Sequence, residues 1–159
     1  MRSKWSKEGA GLVVLNPKLH TLTQRENREN LRVGKVPGMR GFAFETIEPG
    51  ETVYDALVRI LDEEYTGIPT PSWPPKFIGE RLIFGEISAD IFVTTTNSFK
   101  LPITVSADPE VDDHRWESFE QALGSWLRPG VRDVFELLRG HREEMIRPQF
   151  EWSQSLAAK

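Results

Sequence analysis

The chain has 159 residues, a net charge of −4 and no cysteine. This length fits one domain with a sizeable core, and the lack of cysteine excludes disulfides, thiolate metal sites and cysteine nucleophiles. The acidic balance gives no general electrostatic reason to bind nucleic acid, and no apolar run approaches a membrane span, so we expect a cytoplasmic protein without a membrane partner.

The first part of the chain predicts strands. The apolar, β-branched run "AGLVVLN" is typical of a buried strand, and "LHTLTQRE" alternates in a way that could pair with it as a hairpin. The polar stretch "NRENLRVGKVPGMRG" predicts a loop with a short strand near its end. In "FAFETI" we expect the two Phe residues and the Ile on one side of a half-buried strand.

A helix is predicted to begin near residue 51. Its N-cap falls at Thr52 or Glu51, and Gly67 stands where a glycine commonly ends a helix. The rigid, proline-rich "PTPSWPPK" then forms a connection. The apolar positions recur at helical spacing and are Val53, Ala56, Leu57, Ile60 and Leu61.

The second half predicts further strands followed by helices. We expect one or two strands in "RLIFGEISADIFVTTTN" and another in "LPIT". An acidic loop, "VSADPEVDDH", leads to two helical segments, "WESFEQALGSWL" and "PGVRDVFELLRGHREEM". The order of strands, helix, strands and helix predicts an α/β (α+β) fold, in which helices pack against a mixed sheet.

Seven carboxylates crowd into residues 44–68, together with a single Arg and no Lys. On the predicted helix, Asp55, Arg59 and Glu63 share a face, so Arg59 could bridge carboxylates on both sides. Glu63 and the adjacent Glu64 point about 100° apart and can take different roles. Hard cations such as Mg²⁺ prefer carboxylate oxygens, and a bound cation would relieve the repulsion. The alternative interpretation is a solvated helix face.

This stretch resembles the signature of the Nudix (MutT-like) superfamily, G-x5-E-x7-R-E-U-x-E-E-x-G-U, where U is a bulky aliphatic residue. The segment "PEVDDHRWESFEQAL" is also similar to the family's acidic loop, strand Trp and C-terminal helix. The resemblance covers about residues 9–140. The residues that match the signature are Glu51, Arg59, Leu61, Glu63, Glu64, Gly67 and Ile68, the last two after one extra residue.

The resemblance implies a single domain over residues 1–159, with a Nudix-type α/β/α sandwich core at about 9–140 and a tail at about 146–159. It implies hydrolysis of a diphosphate linkage in a nucleoside diphosphate linked to another moiety, with Mg²⁺ or Mn²⁺. Glu64 and Glu63 would hold the metal. Glu51 would serve as a ligand or form a structural ion pair with Arg59. Family members are often dimers, so a homodimer is one expected assembly.

The sequence departs from the signature at positions that matter for the metal. The Glu that follows the Arg, and commonly ligates metal in the family, is Ile60 here, which we expect in the core or lining the site. Phe44 and Glu45 replace the loop glycines. Glu110, as a catalytic residue from the acidic loop, or Glu45 could supply the missing carboxylate. The departures also leave open a catalytically impaired Nudix-fold binding module for a nucleotide, an RNA or a protein partner.

Other polar residues are weaker candidates. Arg40 and Lys35 could contact substrate phosphates, although each could equally be plain surface. His114 could act as a base, but a lone histidine in a loop is more often a surface residue. Asp112 and Asp113 could serve as a further ligand. Substrate identity should depend on loops 27–41 and 69–80.

Overall fold

The computed structural model describes residues 6–69, 73–85, 87–104 and 106–142. In this part of the chain, seven strands form one mixed sheet in the order β3-β2-β1-β6-β5, with β4 paired to β1 and β7 to β2. The predicted tail at about 146–159 lies outside the described residues. The strands are β1 (Ser6–Leu15), β2 (Thr21–Glu26), β3 (Arg40–Gly41), β4 (Ala43–Thr46), β5 (Lys76–Phe84), β6 (Ile87–Thr95) and β7 (Val111–Glu117). The helices are α1 (Val53–Glu63), α2 (Phe119–Leu123) and α3 (Val131–Gly140).

Apolar clusters cover both faces of the sheet. Because side chains alternate along a strand, β1 sends Val13 and Leu15 into the cluster that holds α2 and α3. The same strand sends Leu12 and Val14 into the cluster that holds α1. β1 and β6 run parallel, whereas the other pairs are antiparallel. These layers confirm the predicted fold class.

Helix α1 begins with a capping box. Thr52 Oγ1 accepts a hydrogen bond from the Asp55 amide at 3.2 Å, and Asp55 Oδ2 accepts one from the Thr52 amide at 2.8 Å. Asp55 therefore caps the start of α1. The carboxylates that bind Arg59 are those of Glu45 and Glu51. The helix ends at Glu63, which leaves Glu64 as its C-cap residue. Among the described residues, no helix is long and apolar enough to cross a membrane.

Three expectations about the elements are wrong. The segment 101–104, "LPIT", forms no strand. The predicted acidic loop ends earlier, because β7 already begins at Val111. Trp116 and Glu117, the first two residues of the predicted helix, also belong to β7. Cross-strand ion pairs such as Arg25–Asp112, at 2.9 Å, offset the low strand propensity of these polar residues. Ile47 packs on the α1 side of the sheet, whereas Phe44 packs on the other.

Candidate active site

An acidic pocket of about 350 Å³ opens beside the end of α1. Glu63 and Glu64 reach it from the helix end, Glu45 from β4, and Glu110 from the residue before β7. Segments far apart in sequence therefore bring the carboxyl groups of four glutamates to one place. The other polar residues that line the pocket are Arg28, Thr104, Ser106, Asp108 and His114.

The Glu64 carboxyl group is enclosed. Gln24 Nε2 donates a hydrogen bond to Glu64 Oε1 at 3.0 Å, whereas Glu64 Oε2 is buried and has no hydrogen-bond partner. Burial raises the pKa of Glu64 to about 8; the Gln24 hydrogen bond opposes this rise and the charge of Glu45 adds to it. Without a cation, this carboxyl group therefore keeps its proton at neutral pH.

Glu45 lines the same pocket as Glu64. Burial raises the pKa of Glu45; the charge of Arg59 opposes the rise and the charge of Glu63 adds to it. Carboxyl groups that share a buried pocket disfavour each other's charged form, and a proton or a cation relieves that repulsion. A position at which the family signature has glycine thus carries a carboxyl group in the pocket.

Arg59 ties α1 to the preceding loop and to β4. Its Nη2 lies 2.7 Å from Glu51 Oε1 and its Nε 3.1 Å from Glu51 Oε2, while its Nη1 lies 2.8 Å from Glu45 Oε2. The Glu48 amide also donates to Glu51 Oε1 at 2.7 Å. Both oxygens of Glu51 are engaged, so the geometry supports an ion pair for Glu51 more than metal ligation.

Ile60 lies in the apolar core rather than in the pocket. It is 0% exposed and belongs to the cluster that also contains Leu12, Leu57 and Tyr65. The Tyr65 hydroxyl accepts a hydrogen bond from the Ala43 amide at 2.8 Å, which fixes the chain just after the helix. Ile60 is therefore held against the sheet and, being apolar, supplies no metal ligand.

We expect the substitution Ile60→Glu to destabilise the protein by roughly 3 kcal/mol or more, because it buries an unpaired carboxyl group in an apolar cluster. Denaturant unfolding would measure this loss. The matched control Ile60→Met keeps the volume and the apolar character, and should cost less than about 1.5 kcal/mol. Equal stability of Ile60→Glu and the wild type would show that position 60 can reach the pocket.

The three acidic residues expected to extend the site, Glu110, Asp112 and Asp113, lie in different environments. Asp112 pairs with Arg25 at 2.9 Å, and Asp113 pairs with Arg40 at 3.1 Å. Glu110 is exposed and lines the pocket, and its backbone carbonyl accepts a hydrogen bond from the Asn27 amide at 2.9 Å. Of the three, Glu110 is therefore the residue available to the site.

His114 is a half-buried strand residue, in contrast to the surface loop position that its sequence context favoured. It lines the acidic pocket, and its ring meets that of Tyr65 at 6.3 Å between centroids. Burial lowers the pKa of His114, and a hydrogen bond to the backbone of Glu64 partly opposes that effect. Trp116 packs on the α1 side of the sheet. His114 lies two residues before Trp116, and this spacing is the sequence signal that could have placed His114 on the same face.

The two cations proposed for phosphate contacts lie in different settings. Arg40 is 6% exposed; its Nη2 donates to Thr23 Oγ1 at 2.9 Å, and Asp113 binds its Nη1. This buried setting supports a structural role for Arg40. Lys35 lines a second pocket, of about 200 Å³, which shares Glu45 and Glu110 with the acidic pocket.

The carboxyl groups of the acidic pocket fit a hard divalent cation. In the described part of the chain, no three His, Asp or Glu side chains are already arranged to hold a metal ion. Mg²⁺, however, is usually bound through one or two carboxylates and completed by waters and substrate phosphates. Glu64 and Glu45 meet this smaller requirement, with the charge of Glu63 close by.

Comparisons with known proteins agree with this architecture. The solved structures that resemble the chain include the MutT protein from Methanosarcina mazei Go1, with 23% identity and a TM-score of 0.62 over 90% of this chain and 99% of that one. The NUDIX domain of Shewanella oneidensis NrtR, complexed with ADP ribose, has 15% identity and a TM-score of 0.61 over 91% and 90%. A C. elegans Ap4A hydrolase has 18% identity and a TM-score of 0.56 over 87% and 98%. At these identities the likeness shows the fold.

The sequence itself carries the family assignment. No curated protein matches the chain significantly. The family model of the NUDIX domain, in contrast, matches residues 5–138, which include the whole sheet and all but the last two residues of α3. The chain therefore belongs to the Nudix family.

Proposed function

We propose that the chain is a Nudix hydrolase that cleaves a diphosphate linkage in a nucleoside diphosphate linked to another moiety, with Mg²⁺ or Mn²⁺ as cofactor. The observation that carries the proposal is the convergence of the Glu45, Glu63 and Glu64 side chains on one acidic pocket. This convergence favours a bound cation, and Glu45 offers the carboxylate that Ile60 cannot.

Each glutamate of the pocket has a proposed role. Glu64 and Glu45 would hold the cation, with the charge of Glu63 close by, and the bound cation would neutralise diphosphate charge and lower the pKa of a water molecule. Glu110 is exposed where the two pockets meet, and could accept a proton from the attacking water. Arg28, whose Nη2 lies 3.3 Å from Asp108 Oδ2, brings positive charge to the rim, where it can meet a phosphate.

The proposal predicts metal-dependent turnover of at least one nucleotide substrate by the pure protein. The panel should contain ADP ribose and diadenosine tetraphosphate, the ligand and the substrate that the two similar structures name, together with nucleoside triphosphates. Chromatography would separate the products formed with Mg²⁺, with Mn²⁺ and with EDTA. We expect turnover that EDTA abolishes. A correctly folded protein that leaves the whole panel intact with either metal would contradict the proposal.

A binding module for nucleotides is the second candidate, and two observations favour it. Ile60 removes a carboxylate that the family commonly uses, and Arg59 Nη1 already holds Glu45 Oε2 at 2.8 Å. Calorimetry with ADP ribose in EDTA distinguishes the candidates. Tight binding without metal and without turnover would favour the module, whereas turnover in the panel experiment would remove it.

A further inference from the structure

We propose that Gln24 is a positioning residue that orients the Glu64 carboxyl group toward the cation. Gln24 lies on β2, forty residues before Glu64, and is 0% exposed. Its Nε2 donates to Glu64 Oε1 at 3.0 Å. The inference rests on the proposed function, since it assigns Gln24 a task at the metal site.

A β-bulge in β7 lies opposite Gln24. Thr23 pairs with Arg115 and Arg25 pairs with Asp112, so Gln24 alone stands opposite both Asp113 and His114. Asp113 accommodates the extra residue with a φ of +48°, a value that side chains other than glycine rarely adopt. Bulges commonly redirect side chains beside active sites.

The alternation of the two strands explains why both side chains reach the same helix end. Leu22 pairs with Trp116, and both pack on the α1 side of the sheet. Gln24 lies two residues after Leu22 and His114 lies two residues before Trp116. Both side chains therefore face the α1 side as well. Gln24 donates a hydrogen bond to the carboxyl group of Glu64, and His114 lines the same pocket as Glu64.

Unsatisfied polar atoms concentrate at this point. Gln24 Oε1, Glu64 Oε2 and His114 Nε2 are each buried without a hydrogen-bond partner. Buried polar atoms are normally satisfied, so three of them around one carboxyl group indicate a place prepared for a ligand rather than for stability. Because the Gln24 amide engages Oε1, it fixes the plane of the carboxyl group and leaves Oε2 as the oxygen with free lone pairs.

The test compares Mn²⁺ binding to the whole protein, followed by the EPR signal of free Mn²⁺. We expect Gln24→Met, which keeps the shape and removes the amide, to weaken Mn²⁺ binding about tenfold or more, as loss of such supporting partners typically does. Thr21→Val is the matched control, because Thr21 is an equally buried polar residue of β2 whose hydroxyl bonds only to Leu22 O at 3.5 Å among the bonds of the described residues. It should bind Mn²⁺ like the wild type.

A double mutant tests whether Gln24 acts through Glu64. In a Glu64→Gln background, Gln24→Met should change Mn²⁺ binding no further, because the carboxylate that Gln24 orients is gone.

Gln24→Asn serves as a second variant if Gln24→Met does not fold, since it keeps a buried amide but shortens the side chain by one carbon. It should also weaken Mn²⁺ binding about tenfold.

The outcomes separate this inference from the proposed function. Mn²⁺ binding by the wild type and equally by a folded Gln24 variant would overturn the inference and leave the proposed function standing. Additive effects in the double mutant would likewise overturn it. No Mn²⁺ binding by the wild type would overturn both.

Discussion

Glu64→Gln is expected to lower metal-dependent turnover by about 100-fold or more. The substitution keeps the size of the side chain and its capacity to hydrogen-bond Gln24, but it removes the negative charge that would hold the cation. A loss of a few kcal/mol of transition-state stabilisation is what removal of such a charge at a metal site should cause. The measurement is kcat/KM on the best substrate of the panel, over a range of Mg²⁺ concentrations.

Asp62→Asn is the matched control for this experiment. Asp62 is an exposed acid of the same helix, two residues before Glu64, and it does not line the acidic pocket. The same loss of one negative charge should leave kcat/KM within about twofold of the wild type. An unchanged rate in Glu64→Gln would sink the assignment of Glu64, and an equal loss in both variants would point to a general charge effect.

Helix α1 could be predicted closely from the sequence. Its apolar period and its Thr52 cap follow from local rules, whereas the pairing of Arg59 with Glu51 eight residues earlier was implied by the resemblance to the family signature. Local rules also predicted the strand β1 and the mixed sheet. They failed for β7, because that strand is defined by its pairing with β2, which includes the Arg25–Asp112 ion pair, rather than by the propensity of its own residues.

Part of the candidate site could not be predicted for the same reason. Glu45 reaches the pocket because β4 pairs with β1 and runs past the end of α1, which no spacing rule reveals. Gln24 stands opposite His114 where β2 pairs with β7, and a segment expected to be a loop has no register from which to infer that pairing. Long-range pairing therefore decides which polar residues surround the predicted Glu pair.

Glu64 should also make the stability of the metal-free protein depend on pH. Its pKa is about 8 in the folded protein and near the ordinary 4.5 in the unfolded chain. Between these values the folded state keeps a proton that the unfolded state releases, so the free energy of unfolding falls as pH rises. At about 1.4 kcal/mol per pH unit, the wild type should lose roughly 3 kcal/mol between pH 5 and pH 8 from this group. The loss ends above pH 8, where both states are ionised.

Glu64→Gln isolates this contribution, because glutamine does not titrate. In EDTA, denaturant unfolding at several pH values should show that the variant gains stability relative to the wild type as pH rises from 5 to 8. Asp62→Asn should follow the wild-type curve, since Asp62 is exposed. At pH 8, Mg²⁺ should raise the stability of the wild type, because a cation that binds only the folded state stabilises it, and should do so far less for Glu64→Gln. Parallel curves for Glu64→Gln and the wild type would mean that the Glu64 carboxyl group titrates normally. The convergence of Glu45 and Glu64 on the pocket would then no longer argue for a cation, since the two charges would already be tolerated without one.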